Sequence, residues 1–322
     1  MKKIAKKLKK SDNIAVFVHA NPDGDAIGSI VAFSSALINM GKKVDVFVEN
    51  KPEYLSFVFE NANWIKMYND MDFDKKYDLC VALDCGDKDR MGDAIKTFDN
   101  AKSTIEIDHH KTNDNFADLS YVDANAAATG EIIFELLKIM KVKITKEIAE
   151  ALYIAIISDT GMFKHQNTTS KTFEIASKLM KYGIDISKIT HKLFNENSFE
   201  RTKCLGDILN TLDLYLDGKV GILYLTQEMM QKYSIKETEL DGFVEFARNI
   251  KGVEIGIFIK QKTETEYKVS LRANTDADMS KIAGKFDGGG HKGAAGCRFE
   301  NKSIEEIKKC LLEEIEKSKN EL

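Results

Sequence analysis

The chain has little of several things, and each shortage narrows what it can be. It has 5 cysteines in 322 residues, and Cys80, Cys85, Cys204, Cys297 and Cys310 never fall in a Cys-x-x-Cys spacing. That argues against a disulfide framework or a zinc ribbon, and for reduced thiols in the cytoplasm. No apolar run approaches the ~20 residues needed to cross a bilayer. The basic segment 1–10 lacks the apolar stretch of a signal peptide, so no membrane partner is expected. There are 2 prolines, Pro22 and Pro52, and no low-complexity linker or internal repeat. Neither sign of charge dominates, because 47 Lys and Arg against 51 Asp and Glu leave a net charge of −4. Without a global basic field, a long nucleic acid is not an expected partner. Any nucleic-acid substrate has to be short or held by a local basic site.

What is present is material for two domains, with 43% apolar and 30% charged residues. In the first half, strand-like runs at 13–19, 43–49, 77–84 and 102–108 alternate with helical patterns at 26–40, 54–59 and 92–100. Such alternation predicts an α/β fold with a parallel sheet. The runs are almost continuously apolar, as when helices cover both sheet faces. Helical periodicity follows at 126–140, 146–157 and 169–182. A polar-rich helical stretch then leads to a second set of strands and helices, including a helix predicted over 240–249 and a glycine-rich turn. The expected boundaries are 1–185, a helical linker 186–213, and a smaller α/β domain 214–322.

The densest chemistry lies at the ends of the first-half strands. Strand one delivers His19, Asp23 and Asp25 within seven residues, in a turn where residues two apart face one way. The third run ends at Asp84, the fourth at Asp108-His109-His110, and a later helix at Asp159. Taken singly, each has a bland reading: an Asp after a strand caps a helix, and a lone His is a satisfied core residue. Taken together, carboxylates and imidazoles from four segments converge on one sheet edge, where open α/β sheets take ligands. Oxygen and imidazole donors without thiolate suit Mn²⁺, Mg²⁺, Fe²⁺ or Co²⁺ better than a structural thiolate zinc, and so many donors suit two ions, a pair that activates water for attack on phosphorus.

In the second half, Gly288-Gly289-Gly290-His291-Lys292 leaves backbone N–H groups free to curl round an anion, with Arg272 in the preceding strand. A glycine run alone is more often a flexible turn; after a metal-centre domain, substrate binding is the better reading. Arg90, six residues after Asp84, either reaches substrate or forms a surface ion pair. His165 lies in a loop near Asp159, His191 reads as solvated, and Phe243 and Phe246 as core.

The His19-x-x-x-Asp23-x-Asp25 turn, Asp84, Asp108-His109-His110 and Ser158-Asp159-Thr160-Gly161 together resemble the DHH phosphoesterase family, in order and spacing across the first half. Gly-Gly-Gly-His resembles the signature of its DHH-associated C-terminal domain. The resemblance implies a parallel-sheet DHH domain, a smaller DHH-associated domain, and an active site in the cleft between them. It implies His19, Asp23 and Asp84 on one Mn²⁺, and Asp25, Asp84, His109 and Asp159 on a second, with Asp84 bridging and Mg²⁺ as the alternative metal. It puts Asp108 behind an imidazole as its orienting carboxylate and His110 beside the scissile phosphate. Arg272, Gly288, Gly289, Gly290 and His291 would grip a nucleotide. A homodimer is a further implication.

The whole chain is similar to the stand-alone nanoRNase and 3′-phosphoadenosine-5′-phosphate (pAp) phosphatase branch of that family. The implied reaction is hydrolysis of short oligoribonucleotides or linear dinucleotides such as pApA to 5′-mononucleotides, with or without conversion of pAp to AMP. Two alternatives stay open: a soluble cyclic di-AMP phosphodiesterase, and a nucleotide-sensing module, although every ligand position is filled. A RecJ-like exonuclease would need another nucleic-acid-binding domain. A family II inorganic pyrophosphatase would lack Gly-Gly-Gly-His.

Overall fold

Apolar runs emerging from polar turns become the strands of a parallel sheet. In the computed structural model, which describes residues 1–60, 62–236, 239–240 and 242–320, the chain divides into two units, Met1–Glu196 and Asn197–Leu322. The first runs α1 (Lys2–Lys10), β1 (Asn13–Phe17), α2 (Gly24–Asn39), β2 (Lys43–Val48), α3 (Ser56–Phe59), β3 (Ile65–Met67), β4 (Leu79–Leu83), α4 (Ala94–Asp99), β5 (Thr104–Asp108) and β6 (Leu119–Val122). Helices α5 (Thr129–Met140), α6 (Lys146–Asp159), α7 (Ser170–Met180) and α8 (Ile186–Thr190) complete it.

The sheet order is β3-β2-β1-β4-β5-β6, and every pair is parallel. From β1 the chain builds outward to β2 and β3, then returns to add β4 on the other side. The carboxyl ends of β1 and β4 therefore flank the point where the winding reverses, the place such sheets take ligands. Ile14, Val16, Val81 and Ile105 pack on one face with residues of α2, α5 and α6; Ala15, Phe17, Phe47 and Ala82 pack on the other with Met91, Ala94 and Phe98. Burial on both faces is why these strands read as continuous apolar runs. At the start of α2, a Cβ on Gly24 would fall 1.9 Å from Ser158 Oγ. Only glycine lets that helix start meet the end of α6, which brings Asp25 close to Asp159.

The second unit runs α9 (Phe199–Leu209), β7 (Asp213–Tyr215), β8 (Val220–Leu225), α10 (Gln227–Tyr233), α11 (Val244–Arg248), β9 (Ile255–Gln261), β10 (Glu266–Ala273), α12 (Met279–Gly284), β11 (Gly289–His291), β12 (Ala294–Glu300) and α13 (Ile304–Asn320). Its sheet order is β11-β12-β10-β9-β8-β7; β8 and β9 are parallel and the other pairs antiparallel. One face packs on α12 and α13 through Ile257, Val269, Leu271, Cys297, Ile307 and Leu311. On the other face, Leu223, Leu225 and Phe258 pack with Cys204, Ile208, Phe243 and Ala247.

Strands β3, β6 and β7 do not show in the sequence pattern. Each is three or four residues long and lies at a sheet edge, too short to display a period. Within the helix predicted over 240–249, Asp241 lies outside the described residues, and the helix formed is α11. Phe246 is exposed instead of core. Among the described residues, no helix is long and apolar enough to cross a membrane.

Candidate metal centre

The first turn of α2 sets the geometry. Asp23 caps the helix, its Oδ1 accepting from the N–H groups of Asp25 (3.0 Å) and Ala26 (3.1 Å). Asp25 therefore sits inside the helix, not in the extended turn that its spacing suggests, and the two carboxylates join different donor groups. Asp23 groups with His19 and Asp84, while Asp25 groups with His109 and Asp159; Asp84, His109 and His110 form a third group. Within each group the donor atoms lie within 4.8 Å of one another. Asp84 and His109 each belong to two groups, which merges all seven residues into one centre.

Backbone fixes most of these side chains. Asp25 is fully buried and receives the N–H groups that open α5, Thr129 N at 2.6 Å and Gly130 N at 3.0 Å, with Ser29 Oγ at 3.0 Å. A helix N-terminus is a natural seat for that charge. Thr129 Oγ1 donates to Asp84 Oδ1 at 3.0 Å, so one residue holds both carboxylates. Asp84 takes a left-handed φ of 55°, uncommon for a residue with a side chain, and turns away from its strand there. Its N–H donates to Ile107 O, which locks the turn onto β5.

His19 and His109 share one arrangement. Nδ1 of each faces a backbone carbonyl, Ala20 O at 2.7 Å and Ala126 O at 3.2 Å. The Nδ1 proton is thereby committed, and Nε2 turns to the carboxylates. Nε2 of His109 lies 3.1 Å from Asp159 Oδ2 and 3.6 Å from Asp84 Oδ1; Nε2 of His19 lies 3.8 Å from Asp84 Oδ2. His110 differs, because its Nδ1 meets Asp108 Oδ1 at 2.7 Å. Behind it, Asn113 Nδ2 donates to Asp108 Oδ2 at 2.7 Å and also to Glu106. Asp108 thus orients His110, while His109 is oriented by a carbonyl.

So much buried negative charge is unsettled by itself. Burial pushes the Asp84 carboxyl up to about 7, with Asp23 adding to the rise, and raises Asp25 in the same direction. Burial opposes protonation of His109, yet the hydrogen bond to Asp159 and the charges of Asp25 and Asp84 carry it up to about 10. The Asp108 hydrogen bond raises His110, whereas burial lowers His19. A pocket that retains protons on carboxylates in this way is one in which cations can replace them. The donor set is oxygen and imidazole; Cys85, the nearest thiol in sequence, donates to Asp87 O. These residues fit hard or borderline divalent ions.

Three residues of the site carry weak sequence signals. Thr129 and Gly130 read only as the start of a helix after three alanines, although that helix start is what meets Asp25. Asn113 reads as a turn residue. His165 contacts the centre indirectly: its Nδ1 lies 3.1 Å from Asp159 O, a carbonyl that also accepts from Asn167 Nδ2. Arg90 pairs with no surface carboxylate among the described residues; its Nη2 lies 3.4 Å from His19 Nδ1.

In the second unit, the glycine run is not a loose turn. Gly289–His291 form edge strand β11, paired with β12, and Gly288 N donates to Ala283 O. Gly290 has a φ of 143°, and a Cβ there would lie 2.5 Å from Ala294 O, so glycine is required for the strand to lie against β12. Register then puts Arg272 opposite Ala294, and His291 opposite Ala294 from the other side. Residues paired across strands face one way, so Arg272 and His291 flank a small alanine on one sheet face, about 10 Å apart. Lys268 and Arg298 pair on that same face, four residues along, beyond the Ser270–Gly296 pair. The period-two spacing of Lys268, Ser270 and Arg272 carries the signal for this basic face. Lys292 is drawn off to Asp276 at 2.9 Å.

Comparison with known proteins follows these divisions. Residues 13–156 match the DHH family, N-terminal domain, and residues 217–317 match the DHHA1 domain. The chain is 30% identical over 319 residues to a probable bifunctional oligoribonuclease and PAP phosphatase NrnA of Streptococcus mutans, covering 97% of this chain and 98% of that one. It is 30% identical to a bifunctional oligoribonuclease and PAP phosphatase NrnA of Thermus thermophilus, covering 98% and 93%. Among solved structures, an exopolyphosphatase-related protein from Bacteroides fragilis aligns with a TM-score of 0.90 at 28% identity, covering 99% and 96%.

Proposed function

Because this chain belongs to the DHH family, with a DHHA1 domain following the DHH domain, we propose that it is a phosphoesterase of short nucleotides. It hydrolyses short oligoribonucleotides and linear dinucleotides such as pApA to 5′-mononucleotides, and pAp to AMP. The observation that carries this reading is the merging of three donor groups through Asp84 and His109 at the sheet's switch point. The names of the full-length relatives support the substrate class. The reaction belongs to the cytoplasm, where the buried thiols of Cys80, Cys85, Cys204 and Cys297 stay reduced.

His19, Asp23 and Asp84 would hold one divalent ion, and Asp25, Asp84, His109 and Asp159 the other, with Mn²⁺ the metal we assign. When bound, such a pair supplies Lewis acidity toward phosphoryl oxygens and lowers the pKa of water. The chain's own residues do the rest. Thr129 holds Asp25 and Asp84 at fixed separation, so the two halves of the centre keep one spacing. Asp108 accepts a hydrogen bond from Nδ1–H of His110 and favours its protonated form, so that the imidazolium also donates Nε2–H to a non-bridging phosphate oxygen as charge develops there. On the second unit, Arg272 and His291 hold phosphate and sugar over the flat surface of Ala294 and Gly296.

The test is a matched panel with Mn²⁺: pAp, pApA, cyclic di-AMP, pyrophosphate, and RNA of two to about ten nucleotides, the range of single-strand sites. Fast release of mononucleotides from substrates of two to four residues, fading with length, is expected. Preference for cyclic di-AMP, cleavage of pyrophosphate alone, or nucleotide binding without turnover would overturn the proposal.

A further inference from the structure

Arg90 is exposed, yet its position is set by backbone. It lies in the short 3₁₀ turn Lys88–Met91 that follows Asp84, and its carbonyl oxygen accepts from Ala20 N at 2.6 Å. The turn is thereby latched to the loop that carries His19. Among the described residues, one side-chain atom lies within hydrogen-bond distance of the guanidinium, His19 Nδ1, at 3.4 Å from Nη2. That contact uses none of its donors. The 2.7 Å approach of Nδ1 to Ala20 O requires the proton on Nδ1, because a carbonyl cannot donate. Five N–H donors are therefore presented one imidazole width from the Nε2 that joins Asp23 and Asp84.

Charge decides what they are for. The neighbouring carboxylates are the donor set for two divalent cations, so none is left over to pair with a guanidinium. A further cation beside such a centre is favourable only with an anion between them. The planar fork of Arg matches two oxygens of a phosphate, and a phosphate is what the centre is built to receive. We propose that Arg90 is a substrate-binding residue of the first unit, taking two non-bridging oxygens of the reacting phosphate from the His19 side of the centre. The inference rests on the phosphoesterase reading and adds to it a contact distinct from Arg272 and His291.

Three measurements test it on the full chain: kinetics with a dinucleotide and with pAp, calorimetric titration with Mn²⁺, and titration of the Mn²⁺-loaded protein with inorganic phosphate. Arg90→Ala is expected to lower kcat/KM about 100-fold on both substrates, the size of loss seen when one charge-stabilising donor is removed. It should weaken phosphate binding about tenfold or more and leave Mn²⁺ stoichiometry and affinity unchanged. Arg90→Lys, which keeps charge without the fork, should recover part of the loss. Unaltered phosphate binding in Arg90→Ala would overturn the inference, and so would a loss of Mn²⁺ binding matching the loss of phosphate binding, which marks a structural role. If the parent protein cleaves nothing in the panel but binds phosphate through Arg90, the substrate reading fails while this contact stands.

Discussion

The two units solve opposite electrostatic problems. The first collects four carboxylates and three imidazoles at strand and helix ends, two of the carboxylates fully buried, and ties them with backbone N–H groups and carbonyls. The second lays the exposed Lys268 and Arg298 and the half-buried Arg272 on one sheet face, spaced by Gly296 and Ala294, where Arg272 is held, among the described residues, only by Leu271 O at 3.0 Å and a 3.9 Å approach to Glu245. Buried like charges need fixed partners and a cation to stay ionised, whereas exposed cations need only a common direction. A site of the first kind fails as a unit, and a site of the second kind fails by degrees.

The sharpest way to break that contrast is Asp84→Ala. Asp84 belongs to two donor groups and to the Thr129 hydrogen bond, so its loss removes a ligand from both ion positions. Turnover should fall by about 10³-fold or more, beyond the typical cost of one stabilising group. Bound Mn²⁺, measured by atomic emission after gel filtration, should drop below two per chain. Full metal content with normal turnover would remove Asp84 from the bridging position.

Arg272→Ala probes the other side and should do less. A hydrogen bond to a charged partner contributes about 1.5–3 kcal/mol, which corresponds to a rise of about 10- to 100-fold in KM for a dinucleotide. Metal content should be untouched. A variant that loses Mn²⁺ while keeping its KM would show that Arg272 serves the metal unit instead.

The same contrast explains what could be read in the chain before its fold was known. Metal donors at the ends of apolar runs are legible, because burial on both faces makes those strands continuous and the polar residue that ends each run conspicuous; Asp84 and Asp108-His109-His110 stand out for that reason. What positions them is not legible. Thr129 holds Asp25 and Asp84 through one N–H and one hydroxyl across a sequence separation of 45 to 104 residues, and only tertiary packing brings α5 to that place. The extended-turn reading of Asp25 fails because Asp23 caps the helix two residues earlier. In the second unit, the glycine run looks like a turn locally. The pairing of β11 with β12 decides otherwise, and Gly290 is constrained by Ala294, four residues further along a hairpin. Cross-strand register, which sets His291 beside Arg272, is a non-local property that one sequence does not state.

The smallest expected effect concerns how pH should move the first unit. Folding raises Asp84 from an ordinary value of 3.8 to about 7 and His109 from 6.5 to about 10, so both keep protons longer in the folded chain than in the unfolded one. A raised folded value gives stability that is fully present below the unfolded pKa and is lost as pH climbs through the folded one. The metal-free protein should therefore lose stability between about pH 4 and 7 through Asp84, and between about 6.5 and 10 through His109. Divalent ions replace those protons, so their affinity should rise over the same interval. A tenfold gain in affinity corresponds to about 1.4 kcal/mol, or about 3 °C in melting temperature for a unit of this size. The increment in Tm on adding Mn²⁺ should thus be a few degrees larger at pH 8 than at pH 5.5. Calorimetric scans at the two pH values with and without Mn²⁺ decide it. Equal increments would mean that the Asp84 and His109 protons are not the ones the ions displace. Asp84→Asn, which removes one of those protons, should shrink the difference between the two pH values without abolishing the His109 share.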